Sequence, residues 1–128
     1  MKLLYLFILN LSAIGMAYAS SNVQLNNLTP QNGTIGVKYQ MLCEQQGKTM
    51  LCGEPALQLL TPQQPQVGIP VPAVAVGLRV LAMQYRLNKS PDHWFVLPTD
   101  KCQWTDQQGQ SGVVNVSATQ HLINCQAS

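Results

Sequence analysis

An alternation of apolar and polar residues from Thr34 to Glu44 is the clearest pattern in the chain. The residues at 35, 37, 39, 41 and 43 are apolar, and polar residues or glycine occupy the other parity, with Leu42 as the exception. Such an alternation is typical of a strand that has one buried face. The pattern therefore predicts a strand here and places Cys43 on its core side.

Shorter apolar runs separated by turn-forming residues extend this β pattern along the chain. Residues 73–88 fit either a helix or a strand, and their valines and Gly77 favour a strand. About seven or eight short strands at regular spacing predict a single all-β domain, a small disulfide-bonded β-sandwich or barrel. The other predicted strands are Val23–Leu28, His93–Leu97, Cys102–Thr105, Val113–Ala118 and His121–Cys125, with a short apolar run at Ala56–Leu60.

Residues 61–72 interrupt the strands with the sequence TPQQPQVGIPVP, which holds four prolines and no charge. Proline lacks the backbone donor that a helix or a central strand needs, so the sequence predicts a Pro/Gln-rich loop. The apolar side chains of this loop, Val67 and Ile69 among them, either pack on a sheet or are offered to a partner. Packing is favoured for Ile69 and exposure for the tip at Gln63–Gln66, and both Val67 and Ile69 are kept as candidate binding residues.

The first residues, MKLLYLFILNLSAIGMAYAS, have the organisation of a secretory signal peptide. Lys2 precedes a short apolar core, and alanine stands at 17 and 19, the positions that signal peptidase reads. We expect a cleaved leader at 1–19, one domain at 20–128 and no membrane span after cleavage. The protein is therefore expected to be secreted or periplasmic, and its short positive region indicates bacterial export.

The number and balance of charged residues limit the classes of partner that can be expected. Charged residues make up 9% of the chain, against about a quarter in ordinary domains. Without Lys2, six of the seven Lys and Arg remain against five Asp and Glu, so the mature net charge is +1. This charge gives no electrostatic reason to expect nucleic acid or an anionic membrane as a partner. Asn-x-Ser/Thr triplets at Asn27, Asn32, Asn88 and Asn115 are interpreted as chance in an Asn- and Ser/Thr-rich chain.

Four cysteines in an exported chain of this length predict two disulfides. A type II′ turn at Gly47–Lys48 would set Cys43 directly opposite Cys52 in a hairpin. On a non-hydrogen-bonded pair the two Cα atoms lie about 4.5 Å apart, within reach of a disulfide. The sequence thus favours Cys43–Cys52 with Cys102–Cys125. The rival is a core-crossing arrangement that joins Cys43 to Cys125 and Cys52 to Cys102.

Metal, redox and cofactor chemistry find no support in the sequence. The Cys-x8-Cys spacing is not that of a zinc knuckle, and the Cys-x-x-Cys motif of thiol oxidoreductases does not occur. The sequence also contains no P-loop, dinucleotide fingerprint, His-Glu-x-x-His or Gly-x-Ser-x-Gly motif. We therefore expect neither a metal nor a cofactor.

Two classes of function remain. The first is a non-catalytic binding module for a protein or a glycan, for example an inhibitor, an adhesin-like unit or a secreted effector. Its candidate anchors are Trp94 and Trp104, because an exposed aromatic side chain is a common contact in binding sites. The alternative is a small secreted hydrolase that uses His93 or His121 with a nearby carboxylate. Asp92 precedes His93, but adjacent strand residues point to opposite faces, so the pattern favours the binding module.

Overall fold

The computed structural model describes residues 21–86, 94–96, 102–105, 111–119 and 123–128, with the backbone alone at 86 and 94–96. The expected leader, His93, His121 and the side chain of Trp94 lie outside this description. The described strands form two sheets, and the predicted all-β sandwich is confirmed. The strands are β1 (Ser21–Asn27), β2 (Thr34–Gln45), β3 (Lys48–Leu60), β4 (Gln66–Val71), β5 (Gly77–Arg86), β6 (Trp94–Val96), β7 (Gln103–Thr105), β8 (Gly112–Ala118) and β9 (Ile123–Ala127).

The two sheets differ in their pairing. Sheet A has the order β4-β1-β8-β9, and sheet B has the order β3-β2-β5-β6, with β7 also paired to β5. In sheet A, β1 is antiparallel to β4 and parallel to β8, so that Val23 lies opposite both Ile69 and Gly112. In sheet B, β2 and β3 form a long antiparallel hairpin. The first strand of the domain is therefore internal, whereas β3 forms an edge.

Alternate residues of both sheets supply the core. Strands β1 and β8 bury every second side chain, as a sheet with one solvent face requires. In β2, Ile35 and Val37 are fully buried, and Tyr39, Met41 and Cys43 pack against the core as their parity predicts. Burial of Tyr39 raises the pKa of its phenol, because the charged form would lose hydration.

Trp104 in β7 packs in this core and is 7% exposed. Two glycines make room for it: a Cβ on Gly112 would overlap the indole ring, and a Cβ on Gly77 would overlap the carbonyl oxygen of Trp104. Gly77 belongs to sheet B and Gly112 to sheet A, so the ring lies where the sheets meet. Trp104 therefore has no exposed ring face to offer a partner, which corrects its assignment as a binding anchor.

The segment from 61 to 72 contains a strand, although its prolines predicted a loop. Residues 66–71 form β4, an edge strand whose ladder partner is β1, and Pro70 is exposed there. A sheet edge tolerates proline because the missing donor faces solvent. The loop is thus confined to 61–65, closed by Thr61 and Gln64 through hydrogen bonds of 3.2 and 3.1 Å between their backbone N–H and C=O groups.

Strand β4 also changes the interpretation of the two candidate residues of this segment. Ile69 is 5% exposed and belongs to the core, and Val67 is half-buried against it. Apolar side chains packed in this way stabilise the sandwich and are largely inaccessible to a partner. Ile69 is therefore no longer a candidate for binding, and Val67 offers little surface.

The buried side chain of Asn27, at the end of β1, has hydrogen-bond partners for its polar atoms. Its Nδ2 donates to the carbonyl oxygens of Gly33 and Leu60, each at 3.2 Å, and its Oδ1 accepts from the backbone N–H of Thr29 at 2.9 Å. A buried amide with these partners is stabilising. Because the same Nδ2 would carry a glycan, the folded domain has no room for one at Asn27.

The described part of the ambiguous segment at 73–88 contains a strand, and residues 87 and 88 lie outside the description. Residues 77–86 form β5, with Met83 and Tyr85 on the core side as the strand pattern predicts. The residues before it turn the chain from sheet A to sheet B. Among the described residues, no helix has the length and apolar character to cross a membrane.

Both disulfides of the favoured pairing are present. Cys102 is buried beside β7 and is bonded to Cys125 of β9, with 5.8 Å between the Cα atoms. This bond joins the two sheets. Cys43 and Cys52, also with Cα atoms 5.8 Å apart, are bonded within the β2–β3 hairpin.

Candidate functional site

The hairpin turn differs by one residue from the turn that the sequence suggested. Gln46 and Gly47 are its two central residues, with φ of 54° and 77°, and Gln45 lies opposite Lys48. Positive φ at both positions is the mark of a type I′ turn, so the expected type II′ turn at Gly47–Lys48 is wrong. The one-residue shift moves every cross-strand pair of the hairpin end.

As a result, the cysteines are diagonal neighbours. Cys43 faces Met50, and Cys52 faces Met41, so the disulfide crosses between two adjacent pairs on the core-side face. The expected direct opposition of Cys43 and Cys52 is therefore wrong, although the bond itself forms. Diagonal residues on one face of a ribbon remain close enough for a disulfide to bridge.

Beyond Cys52 the edge strand bulges. Between the pairs Met41–Cys52 and Tyr39–Ala56, β3 has three intervening residues and β2 has one. Gly53 supplies a φ of 73°, and its carbonyl oxygen accepts a 2.7 Å hydrogen bond from Nε2 of Gln40. This bulge leaves Glu54 exposed beside the disulfide.

The β4–β5 connection approaches the hairpin from the opposite side. The backbone N–H of Ala75 donates to the carbonyl oxygen of Pro72 at 2.9 Å, and the N–H of Val76 donates to the carbonyl oxygen of Leu42 at 2.7 Å. Ala75 is buried between these anchors, whereas Val74 is 77% exposed. The connection is thus a fixed turn that holds an apolar side chain in solvent.

The β2–β3 hairpin and the β4–β5 turn form the walls of an open cleft of about 280 Å³. Its surface is almost entirely apolar, and Glu54 is the one charged residue among those that line it. Exposed Met50 lies beside the cleft because it faces Cys43 across the ribbon. The lining residues are Met41, Cys43, Cys52, Gly53, Glu54, Pro72, Val74 and Ala75.

The composition of the cleft suits binding. Ligand pockets for small molecules usually exceed about 300 Å³, so this cleft has the size for one large side chain. Methionine adapts its shape to different apolar partners, and Met41 supplies it in the lining of this cleft. Within the described ranges the acids are Glu44 and Glu54, and both are exposed, whereas the candidate bases His93 and His121 lie outside those ranges.

Of the binding residues expected from the sequence, the three whose side chains the structure describes do not line this cleft. Trp104 and Ile69 are in the core, Val67 packs against it, and the side chain of Trp94 is outside the described part. The alternation in β2 placed Met41 and Cys43 on its core-side face, and both residues line the cleft. No sequence pattern predicted the exposure of Val74, because it depends on how the turn is hydrogen-bonded to Leu42.

Loss of the hairpin disulfide should weaken the walls of the cleft. The Cys43→Ser, Cys52→Ser double variant is expected to lose about 2.5 kcal/mol, because the bond closes a short loop in the unfolded chain. Each single variant should lose at least as much, since both remove the same bond. Denaturant unfolding of the three variants measures this. A loss that doubles from single to double variant would contradict a shared bond.

Comparisons with known proteins identify no family for this chain. No family model and no curated protein matches it. Among solved structures, it is similar to the membrane-binding domain of pneumolysin, with 16% identity, a TM-score of 0.46, and coverage of 84% of this chain and 95% of that one.

Whole pneumolysin gives a similar result. The wild-type structure matches at 16% identity and a TM-score of 0.45, and a non-hemolytic form from Streptococcus pneumoniae strain ST306 matches at 14% and 0.39. In both cases the match covers 84% of this chain and spans 23% of the length of pneumolysin. With TM-scores below 0.5, these likenesses assign no function to this chain.

Proposed function

We propose that this chain is an exported binding module that takes one apolar side chain of a protein partner into the cleft between the β2–β3 hairpin and the β4–β5 turn. The single observation that carries the proposal is the solvent exposure of Val74 on a turn fixed by two backbone hydrogen bonds. A side chain held in place before binding loses little freedom when a partner arrives. Exported localisation is expected from the leader and fits a domain with two disulfides.

The partner is a protein segment that carries an apolar side chain next to Lys or Arg. Glu54 is the charged group of the lining, and a cation beside the bound apolar group would complement it. A protein is favoured over a glycan, because sugar rings usually stack on aromatic faces. The exposed large apolar residues of the described part are aliphatic or methionine, namely Leu28, Met50, Leu51, Leu57, Leu59 and Val74.

A random peptide display library, selected on the oxidised protein, tests this function. Enriched peptides should share an aliphatic or aromatic residue next to Lys or Arg. Val74→Ser should weaken the best peptide about tenfold through lost apolar burial. Glu54→Gln should weaken it about threefold, and less in high salt, because the pair is exposed.

Leu28→Ser is the matched control. Leu28 is also an exposed apolar residue, but it lies just beyond β1 and does not line the cleft. Its substitution should leave peptide affinity unchanged. Equal losses in Leu28→Ser and Val74→Ser, or selected peptides with no shared apolar residue, would rule out the cleft as the binding site.

A further inference from the structure

The second half of β3 is an unprotected sheet edge. Among the described strands, β3 pairs with β2 on one side and with nothing on the other. Proteins usually protect such edges with lysine, proline or a bulge. Lys48, the bulge at Gly53 and Pro55 protect the first half of β3 in this way. Residues 56–60, with the sequence ALQLL, carry none of these features.

This edge segment also exposes apolar side chains. Leu57 is 53% exposed and Leu59 is 48% exposed. They lie opposite Lys38 and Gly36 of β2, on the face of sheet B that points away from the core. Gly36 has no side chain to cover Leu59, so the two leucines form the apolar border of the sheet.

The register of β2 and β3 indicates which backbone groups of the segment face the open edge. Pairs of an antiparallel ladder alternate, so residues that do not bond to one neighbour direct their N–H and C=O to the other side. Starting from the bonded pair Gln45–Lys48 at the turn, the odd residues of β2 face β3. Accordingly, Leu42, of the opposite parity, offers its carbonyl oxygen to Val76 on the β5 side.

The same alternation fixes the orientation of β3. Gln58 and Leu60 lie opposite the odd residues Val37 and Ile35, and so they bond to β2. Leu57 and Leu59 therefore direct their backbone groups to the open edge. In agreement, Nε2 of Gln58 donates at 3.0 Å to the carbonyl oxygen of Leu59, which is accessible there.

We propose that β3 pairs with β3 of a second copy of this chain, antiparallel, about a two-fold axis at Gln58. In this register Leu57 lies opposite Leu59 of the partner on both sides of the axis. The edge-facing N–H and C=O groups of Leu57 and Leu59 then find partners in the other copy, and the carbonyl oxygen of Leu59 exchanges its bond from Gln58 for a backbone bond. The four leucines contact one another on the outer face. The segment holds no charge, so no like charges meet.

Charge excludes the register of greatest overlap. An axis at Glu54 would align the whole of β3 with itself, but it would place Glu54 opposite its own copy and set two bulges against each other. Like charges directly opposite in a sheet are destabilising. The axis at Gln58 avoids both problems, and it does not depend on the proposed cleft.

Analytical ultracentrifugation of the oxidised, leader-free protein tests the dimer. A contact limited to one strand edge is small, so we expect a dissociation constant of about 0.1 mM and a concentration-dependent sedimentation coefficient. The Leu57→Lys, Leu59→Lys variant places like charges opposite one another and should stay monomeric. The Leu57→Lys, Leu59→Glu variant places Lys opposite Glu of the partner and should dimerise in a salt-sensitive way.

Leu28→Lys is the control, since it adds a charge away from the edge and should dimerise as wild type does. Thermal melts should be nearly unchanged in all variants, because the substituted side chains are exposed. A wild-type protein that stays monomeric at 1 mM overturns the proposal and leaves the edge open to a strand of another protein. A Lys/Lys variant that dimerises, or a Lys/Glu variant that does not, also overturns it.

Discussion

Replacing Gly77 or Gly112 by alanine should cost about 3 kcal/mol or more of folding stability, which is at the upper end for overpacked sites. At Gly112 the new methyl group would occupy the position of the Trp104 indole. At Gly77 it would overlap backbone atoms of Trp104 and lie 2.9 Å from the Cα of Thr105. Backbone in a paired strand cannot move aside without breaking the β5–β7 ladder.

A double-mutant cycle separates packing from general glycine effects. Trp104→Ala alone should lose about 3 to 5 kcal/mol through the cavity that it leaves. In that background Gly112→Ala should cost much less, because the methyl group then enters vacated space. Gly68→Ala is the control: its Cβ would lie 3.1 Å from the side-chain Nδ2 of exposed Asn22, which can turn away. Denaturant unfolding gives all values, and additive costs at Gly112 and Trp104 would contradict the packing.

Removing the Cys102–Cys125 disulfide should destabilise the domain by about 3.5 kcal/mol, more than removal of the hairpin disulfide, because the loop it closes is longer. The two cysteines are 23 residues apart, against 9 for Cys43 and Cys52. The bond also links β9 of sheet A to the start of β7 in sheet B. Alanine is the suitable replacement, because Cys102 is buried and a serine hydroxyl there would need a new partner.

The two disulfides should also differ in what they hold together. Hydrogen exchange of the Cys102→Ala, Cys125→Ala variant should show faster opening across β7, β8 and β9. In the Cys43→Ser, Cys52→Ser variant the faster exchange should be confined to the hairpin end. Denaturant midpoints complete the comparison. Equal losses of stability in the two variants would contradict the dependence on loop length.

Local patterns predicted the class of fold well. The alternation in β2 gave the core side of Ile35 and Val37, because a buried face leaves a period of two in the sequence. The cysteine spacing favoured the observed disulfides, although the turn was placed one residue too late. That error arose because glycine also fits the second position of a type I′ turn, and Gln46 was not expected to adopt a positive φ.

Features that depend on contacts between distant segments could not be predicted from local sequence patterns. Strand β4 was hidden because proline is excluded from central strands but accepted at an edge, and edge position depends on the whole sheet. Leu42 breaks the alternation of β2, yet it is fully buried. The cleft required Val74 to approach Met41 through the return of the chain from sheet A to sheet B. No spacing along the sequence encodes that approach.

The parallel pairing of β1 with β8 has a consequence for the order of folding. Val23 lies opposite Gly112, so sheet A is completed only when segments from the two ends of the domain meet. Proteins with many such distant contacts have high contact order and fold slowly, in milliseconds to seconds. Until β8 is in place, β1 is paired with β4 on one side and its other edge is open. Slow folding of this kind would suit the export proposed above, because the chain would still be extended before the disulfides close the structure.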